Sequence, residues 1–496
     1  MEIIRNFPCL SILLAMFSAI ISSALKGAGA RRLNTFVVTA VGVLSACTLY
    51  FTHVTGKSYV YVMGHFPAPL GNEIRFGSLE AGMALFFCVI MLLSLNGGRR
   101  KIQLEIDPGK ENLYYIMVDL LLSSLLALVY TNDLFTAYVF VEINTIAACG
   151  LIMIMESGRA IEAATRYMIM SLLGSGLFLI GLCMMYDMTG HLLMSNVQES
   201  VQQIAAEGTY MIPLLVTIAL MVVGLAIKSA LFPFHAWLPD AYGYSTVSSA
   251  AMLSSLVSKG YIFLLIKIIY RVIGFDIFVQ SRIINVLFVF GLAGMIMGST
   301  SAIRENDIRR MISYSSVAQI GYIYMGFGLG TQAGMIASVF HILAHAATKS
   351  LLFVSGVGLT DVADDNKQFI ELTGAAYRNV CAGLAFTVGS LSMVGIPLFS
   401  GFISKLLFSQ AAVQGNLKML PALIVLAIST VLNAIYFMKT VIRIYTPIQS
   451  RYASVLAKEN PLYTFTLLCF VVLNIVLGMC SQPITDWITQ GLSVFA

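Results

Sequence analysis

Residues 228–241 read Lys-Ser-Ala-Leu-Phe-Pro-Phe-His-Ala-Trp-Leu-Pro-Asp-Ala, at the end of an apolar run that begins near 211. Pro233 can give no backbone hydrogen bond to the carbonyl of Ser229, so a helix through this run is predicted to break one residue after Lys228. A carbonyl freed inside a bilayer is tolerated where protein encloses it, and there it holds water or a cation. His235, with an ordinary imidazole pKa of about 6.5, stands just past the break as a candidate proton relay. The bland alternative is a proline kink with a packed histidine.

A second stretch repeats the combination. Residues 394–405, Val-Gly-Ile-Pro-Leu-Phe-Ser-Gly-Phe-Ile-Ser-Lys, again join a proline and glycines to a lysine inside an apolar run. Interrupted helices in corresponding halves of a chain mark inverted-repeat transporters. The match is loose, because Lys228 precedes its proline whereas Lys405 follows Pro397.

The rest of the chain is membrane-like. Of 496 residues 58% are hydrophobic and 11% charged, and the mean hydropathy is +0.87, more apolar surface than a soluble fold hides. Runs of about 18 or more apolar residues recur throughout, each long enough to cross a hydrocarbon core of about 30 Å. The predicted fold is an all-α polytopic membrane protein with about 14 transmembrane helices: 8–26, 34–53, 77–96, 112–130, 133–155, 163–187, 211–236, 244–273, 284–301, 308–328, 331–358, 378–411, 420–444 and 461–482. Spans 7 and 12 are broken, and spans 4–8 and 9–13 form two inverted five-helix repeats. The division is an N-terminal three-span segment (1–111), repeats at 112–273 and 284–444, and a C-terminal span (445–496). The first run, from Pro8 to Leu25, is expected to be a true span, having only Arg5 before it and no small-residue cleavage site.

Alternating the spans across a membrane sorts the 29 lysines and arginines. Six fall on one side (Arg5, Lys57, Arg75, Arg271, Arg282, Lys418) and five inside spans. The remaining eighteen, among them Arg31, Arg32, Arg99, Arg100, Arg309, Arg310, Arg451 and Lys458, share the other side, which makes that side cytoplasmic and both termini external. Eight cysteines scattered singly read as small apolar fillers. No phosphate loop, nucleophile elbow or cofactor fingerprint is present, so neither a catalytic site nor a cofactor is expected. The net charge of +5 belongs to membrane topology and not to a nucleic-acid-binding face.

Function is therefore sought in the five lysines placed within spans: Lys228, Lys259, Lys267, Lys349 and Lys405. A lysine in hydrocarbon costs a few kcal/mol on insertion scales, and desolvation favours its neutral form. Lys267, near its helix terminus, is expected to snorkel to the headgroups. His341, His345 and Lys349 recur at intervals of four, one turn apart on one helical face, a proton wire in outline. The two histidines could instead ligate a metal, but no carboxylate lies near in sequence and no metal is expected. Lys259, one turn from Ser254 and Ser255, is the next station. Glu142, mid-span, supplies the balancing charge: moving it relative to a lysine alters that lysine's hold on its proton. Asp119 and Asp133 are candidates for a proton access route, Asp133 also as a helix cap. Asp307, Arg309 and Arg310 read as a solvated cluster orienting span 10.

At these residues the sequence resembles the antiporter-like membrane subunits shared by Mrp cation/proton antiporters, respiratory complex I and membrane-bound hydrogenases. The resemblance rests on the Glu142 stretch, Lys228 with Pro-Phe-His-Ala-Trp-Leu-Pro-Asp, and Lys259. It continues in Arg-Arg-Met-Ile-Ser-Tyr-Ser-Ser at the start of span 10, His-x3-His-x3-Lys and Gly-Phe-Ile-Ser-Lys, and so covers essentially the whole chain. It implies fourteen helices, a Glu–Lys pair from spans 5 and 7, a middle lysine on span 8 and an outlet lysine on span 12. Lysine at 405 is most similar to the D-type Mrp subunit and its hydrogenase and complex I cousins, and the chain ends soon after span 14, without a long lateral helix.

The function expected is proton translocation along Glu142, Lys228, His235, Lys259, His341, His345, Lys349 and Lys405. The setting is a multisubunit complex in a prokaryotic plasma membrane, with other membrane subunits, H+ and possibly Na+ as partners. Mrp-type exchange leads, and a pumping arm of a complex I-like oxidoreductase or hydrogenase is the alternative. A solute symporter would gather its charges in one pocket, and a scaffold would not carry so many buried ones.

Overall fold

The structure, a computed structural model, describes residues 2–66, 71–447 and 460–495, so Arg451 and Lys458 lie outside the described residues. Among the described residues twelve helices are long and apolar enough to cross a membrane. Spans 1 to 6 are Phe7–Ser23, Gly27–Thr55, Ser78–Gly97, Glu111–Tyr130, Leu134–Met153 and Gly158–Thr189. Span 7 is Met211–Lys228 continued by Leu238–Tyr244, span 8 Val247–Ile273, span 9 Ile283–Arg304, span 10 Ile308–Leu329 and span 11 Gln332–Asp361. Span 12 is split into Val380–Val394 and Ser400–Val413, and spans 13 and 14 are Met419–Ile444 and Pro461–Met479. Span 10 is diluted by Arg309, Arg310 and several serines and is less apolar than the twelve, yet it is buried almost throughout.

Local chemistry starts these helices where the chain needs them. Asp133 accepts from Thr136 N at 2.6 Å and Ser157 from Ala160 N at 3.2 Å. Thr246 accepts from Ser249 N and Thr331 from Gly334 N, so spans 5, 6, 8 and 11 each open on a side-chain cap. Neighbouring spans approach closely through glycine, as membrane helices do when small residues let backbones touch. A Cβ on Gly224 would meet the Gly174 carbonyl of span 6 at 2.6 Å, and one on Gly291 would meet the Gly321 carbonyl of span 10 at 2.8 Å.

Spans 8 and 11 form the centre. Every residue from Val247 to Ile273, and from Ala337 to Thr360, is buried. These are the helices that carry Lys259, His341, His345 and Lys349. The remaining spans wrap them, and more than half of the residues of spans 1, 2, 6, 9, 13 and 14 are not buried within the bundle.

A paired bridge relates the two halves. Leu134 N donates to Leu192 O and Met194 N to Asn132 O; in the second half Ile308 N donates to Lys367 O and Phe369 N to Asn306 O. Each bridge joins the start of a span (5 or 10) to the segment leaving the next (6 or 11), and each is opened by a capping aspartate, Asp133 or Asp307. Because spans 5 and 10 have opposite parity, the equivalent bridges sit on opposite faces of the bundle.

Three features add to the expected helices. A two-stranded antiparallel hairpin, Tyr59–Val62 with Glu73–Phe76, docks on the end of span 4 through Asn132 N to Glu73 O. Between spans 6 and 7 runs a helix, Met194–Glu207, whose buried face is Met194, Val197, Val201 and Ile204. After span 14 the helix Ser481–Phe495 packs Ile488, Leu492 and Phe495 onto the bundle.

Candidate functional site

Both breaks fall where the sequence puts them, and each is built around its lysine. The first half of span 7 ends at Lys228, Ala230 adopts a left-handed conformation and the chain resumes as helix at Leu238. Ser229 Oγ meets Tyr324 Oη of span 10 at 2.6 Å, tying the break to that span. In span 12 Gly395 and Leu398 take positive φ, and Lys405 Nζ reaches back to donate to the Val394 carbonyl at 2.6 Å. The loose sequence match thus resolves in space: Lys228 ends the first half-helix of its span, and Lys405, on the second half-helix, binds the end of the first.

Lys228 is fully enclosed. Its Nζ donates to Thr145 Oγ1 at 2.6 Å and lies 3.9 Å from Glu142 Oε1, both on span 5, and 5.4 Å from the centre of the Tyr261 ring. Glu142 is about a quarter exposed at the bundle edge, so the pair has one buried and one partly open member. Tyr261 Oη donates to Asn144 Oδ1 at 2.9 Å and lies 3.4 Å from Thr145 Oγ1, while Asn144 Nδ2 donates to Ser124 Oγ at 2.9 Å. This carries the polar seam from span 7 to span 8, two residues from Lys259.

Lys259 sits against a π-helical turn, Leu253–Val257, and donates to Ser254 O at 2.6 Å and Ser258 Oγ at 3.2 Å. Such turns loosen the i to i−4 ladder and recur at functional positions. Serines join the central helices: Ser255 Oγ meets Ser350 Oγ of span 11 at 2.8 Å, and Ser254 Oγ meets Ser316 Oγ of span 10 at 3.2 Å. Lys349 donates to Ile312 O at 2.7 Å and to Ser315 Oγ.

The histidines complete the route to span 12. The His341 and His345 rings stack with centroids 5.7 Å apart, and His341 Nδ1 lies 2.6 Å from Ser404 Oγ, the residue beside Lys405. Both ring nitrogens of His345, and His341 Nε2, are buried without a protein partner among the described residues. Buried polar atoms of this kind are normally satisfied by water. No group of three metal-ligating side chains occurs among the described residues.

Seven of the eight expected site residues therefore lie along one seam: Glu142, Lys228, Lys259, Lys349, His345, His341 and Lys405. His235 stands apart beyond the break, stacked on Phe232 at 5.4 Å. Thr145, Asn144 and Tyr261 join the seam without having been singled out in the sequence, where they are ordinary polar residues in apolar runs.

Several flanking residues behave differently from expectation. Lys267 does not snorkel: it is completely buried and donates to Leu128 O, Val129 O and Thr131 O, closing the carbonyl end of span 4. The end of span 8 lies inside the protein, so the orphaned last-turn carbonyls and not the headgroups receive its charge. Asp133 acts as a helix cap. Asp119, buried, accepts from Ser18 Oγ at 2.7 Å, Asn34 Nδ2 at 2.6 Å and Ser22 Oγ at 3.4 Å, away from the lysine seam. Asp307 caps span 10, but Arg309 is buried, donating to Ser245 O at 3.2 Å, while Arg310 pairs with Asp240 and Glu305, so the cluster is built in and not solvated. Arg271 is buried too, 2.6 Å from Glu80 and with its guanidinium 4.0 Å from the Phe495 ring centre.

Residues 131–433, which hold the whole seam, match the family described as NADH:quinone oxidoreductase/Mrp antiporter, TM. The chain belongs to this family of antiporter-like membrane subunits. A NADH-quinone oxidoreductase subunit N from Desulforudis audaxviator is 31% identical over 443 residues, 89% of this chain and 86% of that one. A putative antiporter subunit from Staphylococcus haemolyticus is 31% identical over 69% of this chain and 42% of its own length. Among solved structures, a chain of an archaeal respiratory membrane complex, the membrane-bound sulfane sulfur reductase, matches with TM-score 0.89 at 25% identity, covering 100% of this chain and 98% of that one. A chain of the Mrp complex from Dietzia sp. DQ12-45-1b matches with TM-score 0.87 at 22% identity, covering 99% and 97%. As an antiporter-like subunit of this family the chain is a multi-pass membrane protein whose structural neighbours are parts of multisubunit complexes.

Proposed function

We propose that this antiporter-like subunit translocates protons along the seam Glu142, Lys228, Lys259, Lys349, His345, His341 and Lys405, within a larger complex in a prokaryotic plasma membrane. The observation that carries the reading is the run of buried polar residues between the two broken helices: Thr145 links Lys228 to Tyr261, Lys259, Lys349 and His345 follow on the two buried central helices, and His341 meets Ser404 beside Lys405. The repeats, 112–273 and 284–444, act as two half-channels meeting at Lys259. Each lysine is held by hydroxyls or carbonyls and not by a fixed carboxylate, Lys228 apart, so a proton can leave it without breaking a strong ion pair. The Glu142–Lys228 pair is the control point, since drawing Glu142 away favours release of the lysine's proton. His235 is proposed to pass protons at the span 7 break.

The parent assembly proposed first is an Mrp-type cation (Na+)/proton antiporter, a reading supported by the family match and by the antiporter-subunit relative. A second reading, the pumping arm of a redox complex, is favoured by the subunit N relative and by the fit to the sulfane sulfur reductase chain. The test is to purify the tagged complex in mild detergent, identify its subunits and reconstitute it in vesicles. Na+-driven proton movement with only small membrane subunits present supports antiport. Proton movement that needs an electron donor, with iron–sulfur subunits present, supports the second reading, and no proton movement under either drive overturns both.

A further inference from the structure

On the lysine- and arginine-rich side of the bundle, away from the lysine seam, a cavity of about 320 Å3 opens between the ends of spans 2, 3 and 4. It is lined by Arg31, Arg32 and Thr35 from span 2, Leu95 and Asn96 from the end of span 3, Arg99 at the start of the short helix Arg99–Glu105, and Tyr115 from span 4. Three guanidinium groups thus face one small space. Glu111 is the carboxylate in contact, 3.3 Å from Arg31, while Arg32 and Arg99 form no ion pair among the described residues. Unpaired arginines are costly to cover with an apolar partner helix, because each would be desolvated without a counter-charge. A phosphate offers what they lack: charge and several oxygens for the bidentate geometry of guanidinium.

The surroundings say how that phosphate is carried. One turn beyond Arg32 on span 2, Phe36 (68% exposed), Val43 (59%) and Tyr50 (73%) recur every seven residues, an apolar stripe on the outer face of the bundle running away from the cavity. A polar, basic cavity at one end of an exposed apolar stripe matches a phospholipid, headgroup at one end and acyl chain along the other. Basic pockets between membrane helices on the cytoplasmic side bind anionic headgroups in this way.

We propose that the Arg31, Arg32 and Arg99 cavity binds the phosphate of an anionic phospholipid of the cytoplasmic leaflet, with an acyl chain lying on the Phe36, Val43 and Tyr50 stripe. The proposal uses the charge-based orientation and does not depend on how the seam moves protons. The test uses the intact complex in nanodiscs. Native mass spectrometry of the unaltered complex is expected to show tight retention of phosphatidylglycerol over phosphatidylcholine, and inorganic phosphate at millimolar concentration is expected not to displace it. The double variant R32Q/R99Q should weaken that retention about 25-fold, about fivefold for each arginine, while R32K/R99K keeps most of it. Equal retention of the two lipids by the unaltered complex, a measurement needing no variant, overturns the proposal. Displacement by inorganic phosphate alone makes this a free-phosphate site and also overturns it, as does a photocrosslinker at Phe36 that captures a protein subunit and no lipid.

Discussion

Replacing Glu142 by glutamine removes one charge and almost no volume from a site whose electrostatics are simple. Lys228 Nζ is fully buried, with one carboxylate oxygen at 3.9 Å and one hydroxyl at 2.6 Å as its polar partners on span 5. At that separation and an effective dielectric constant of about 20, the Glu142–Lys228 attraction is about 4 kcal/mol. Because the carboxylate is about a quarter exposed, solvent screening reduces the usable part to about 2–3 kcal/mol. If proton transfer passes through charged Lys228, E142Q lowers the ratio of its charged to its neutral form about 30- to 150-fold, at 1.4 kcal/mol per factor of ten, and the flux falls with the charged fraction. The assay is acidification of vesicles holding the reconstituted complex, followed with a pH-sensitive dye and normalised to assembled protein. The double variant E142Q/K228M should be no worse than K228M alone, since both remove one interaction. Unchanged flux in E142Q, with assembly intact, would refute the reasoning.

Three further outcomes concern the scaffold. Lys267→Met leaves the terminal carbonyls of span 4 without their charged donor and should destabilise the subunit by about 2–3 kcal/mol, read as a lower thermal midpoint of the purified complex; an unchanged midpoint would restore the snorkelling assignment. Arg271→Ala strands the buried Glu80 carboxylate and should cost about 3–5 kcal/mol, with Glu80→Ala/Arg271→Ala recovering part of the loss, whereas additive losses would show that the pair is not coupled. Lys367, in the segment after span 11, is held down to about 8, first by burial and then by the Arg309 charge. Between about pH 8 and the ordinary lysine value the unfolded chain therefore binds more protons than the folded one, so Lys367 adds stability as pH rises through that window. The thermal midpoint of Lys367→Met should rise less from pH 8 to 10 than that of the unaltered protein, and identical curves would contradict this.

How far the sequence could be read depended on where each side chain's partner lies. The break after Lys228 was legible because proline's missing donor acts within its own helix. So was the regular spacing of His341, His345 and Lys349, which needs only helical geometry. Glu142 announced itself as a carboxylate in the middle of an apolar run. The role of Lys267 was not legible, because its acceptors belong to span 4, more than 130 positions away. Nothing local marks Tyr261, Asn144 and Thr145 as links, since each is a common polar residue until the folded chain brings spans 5 and 8 together. Counting from span ends places Arg271 at an aqueous edge, and only the packing of Phe495 and Glu80 reveals that this edge is covered. The two lateral helices, 194–207 and 481–495, escaped the search for apolar runs because half of each is polar.

Lys259 stands between Lys228 and span 11 in the proposed seam, buried and held by Ser254 and Ser258, so proton flux through the reconstituted Lys259→Met complex tests that seam most directly. The account predicts that flux falls to the background of empty vesicles while the subunit composition of the complex is unchanged. Flux at the unaltered rate from a fully assembled Lys259→Met complex would contradict it, because protons would then be crossing by a path that does not join the two broken helices.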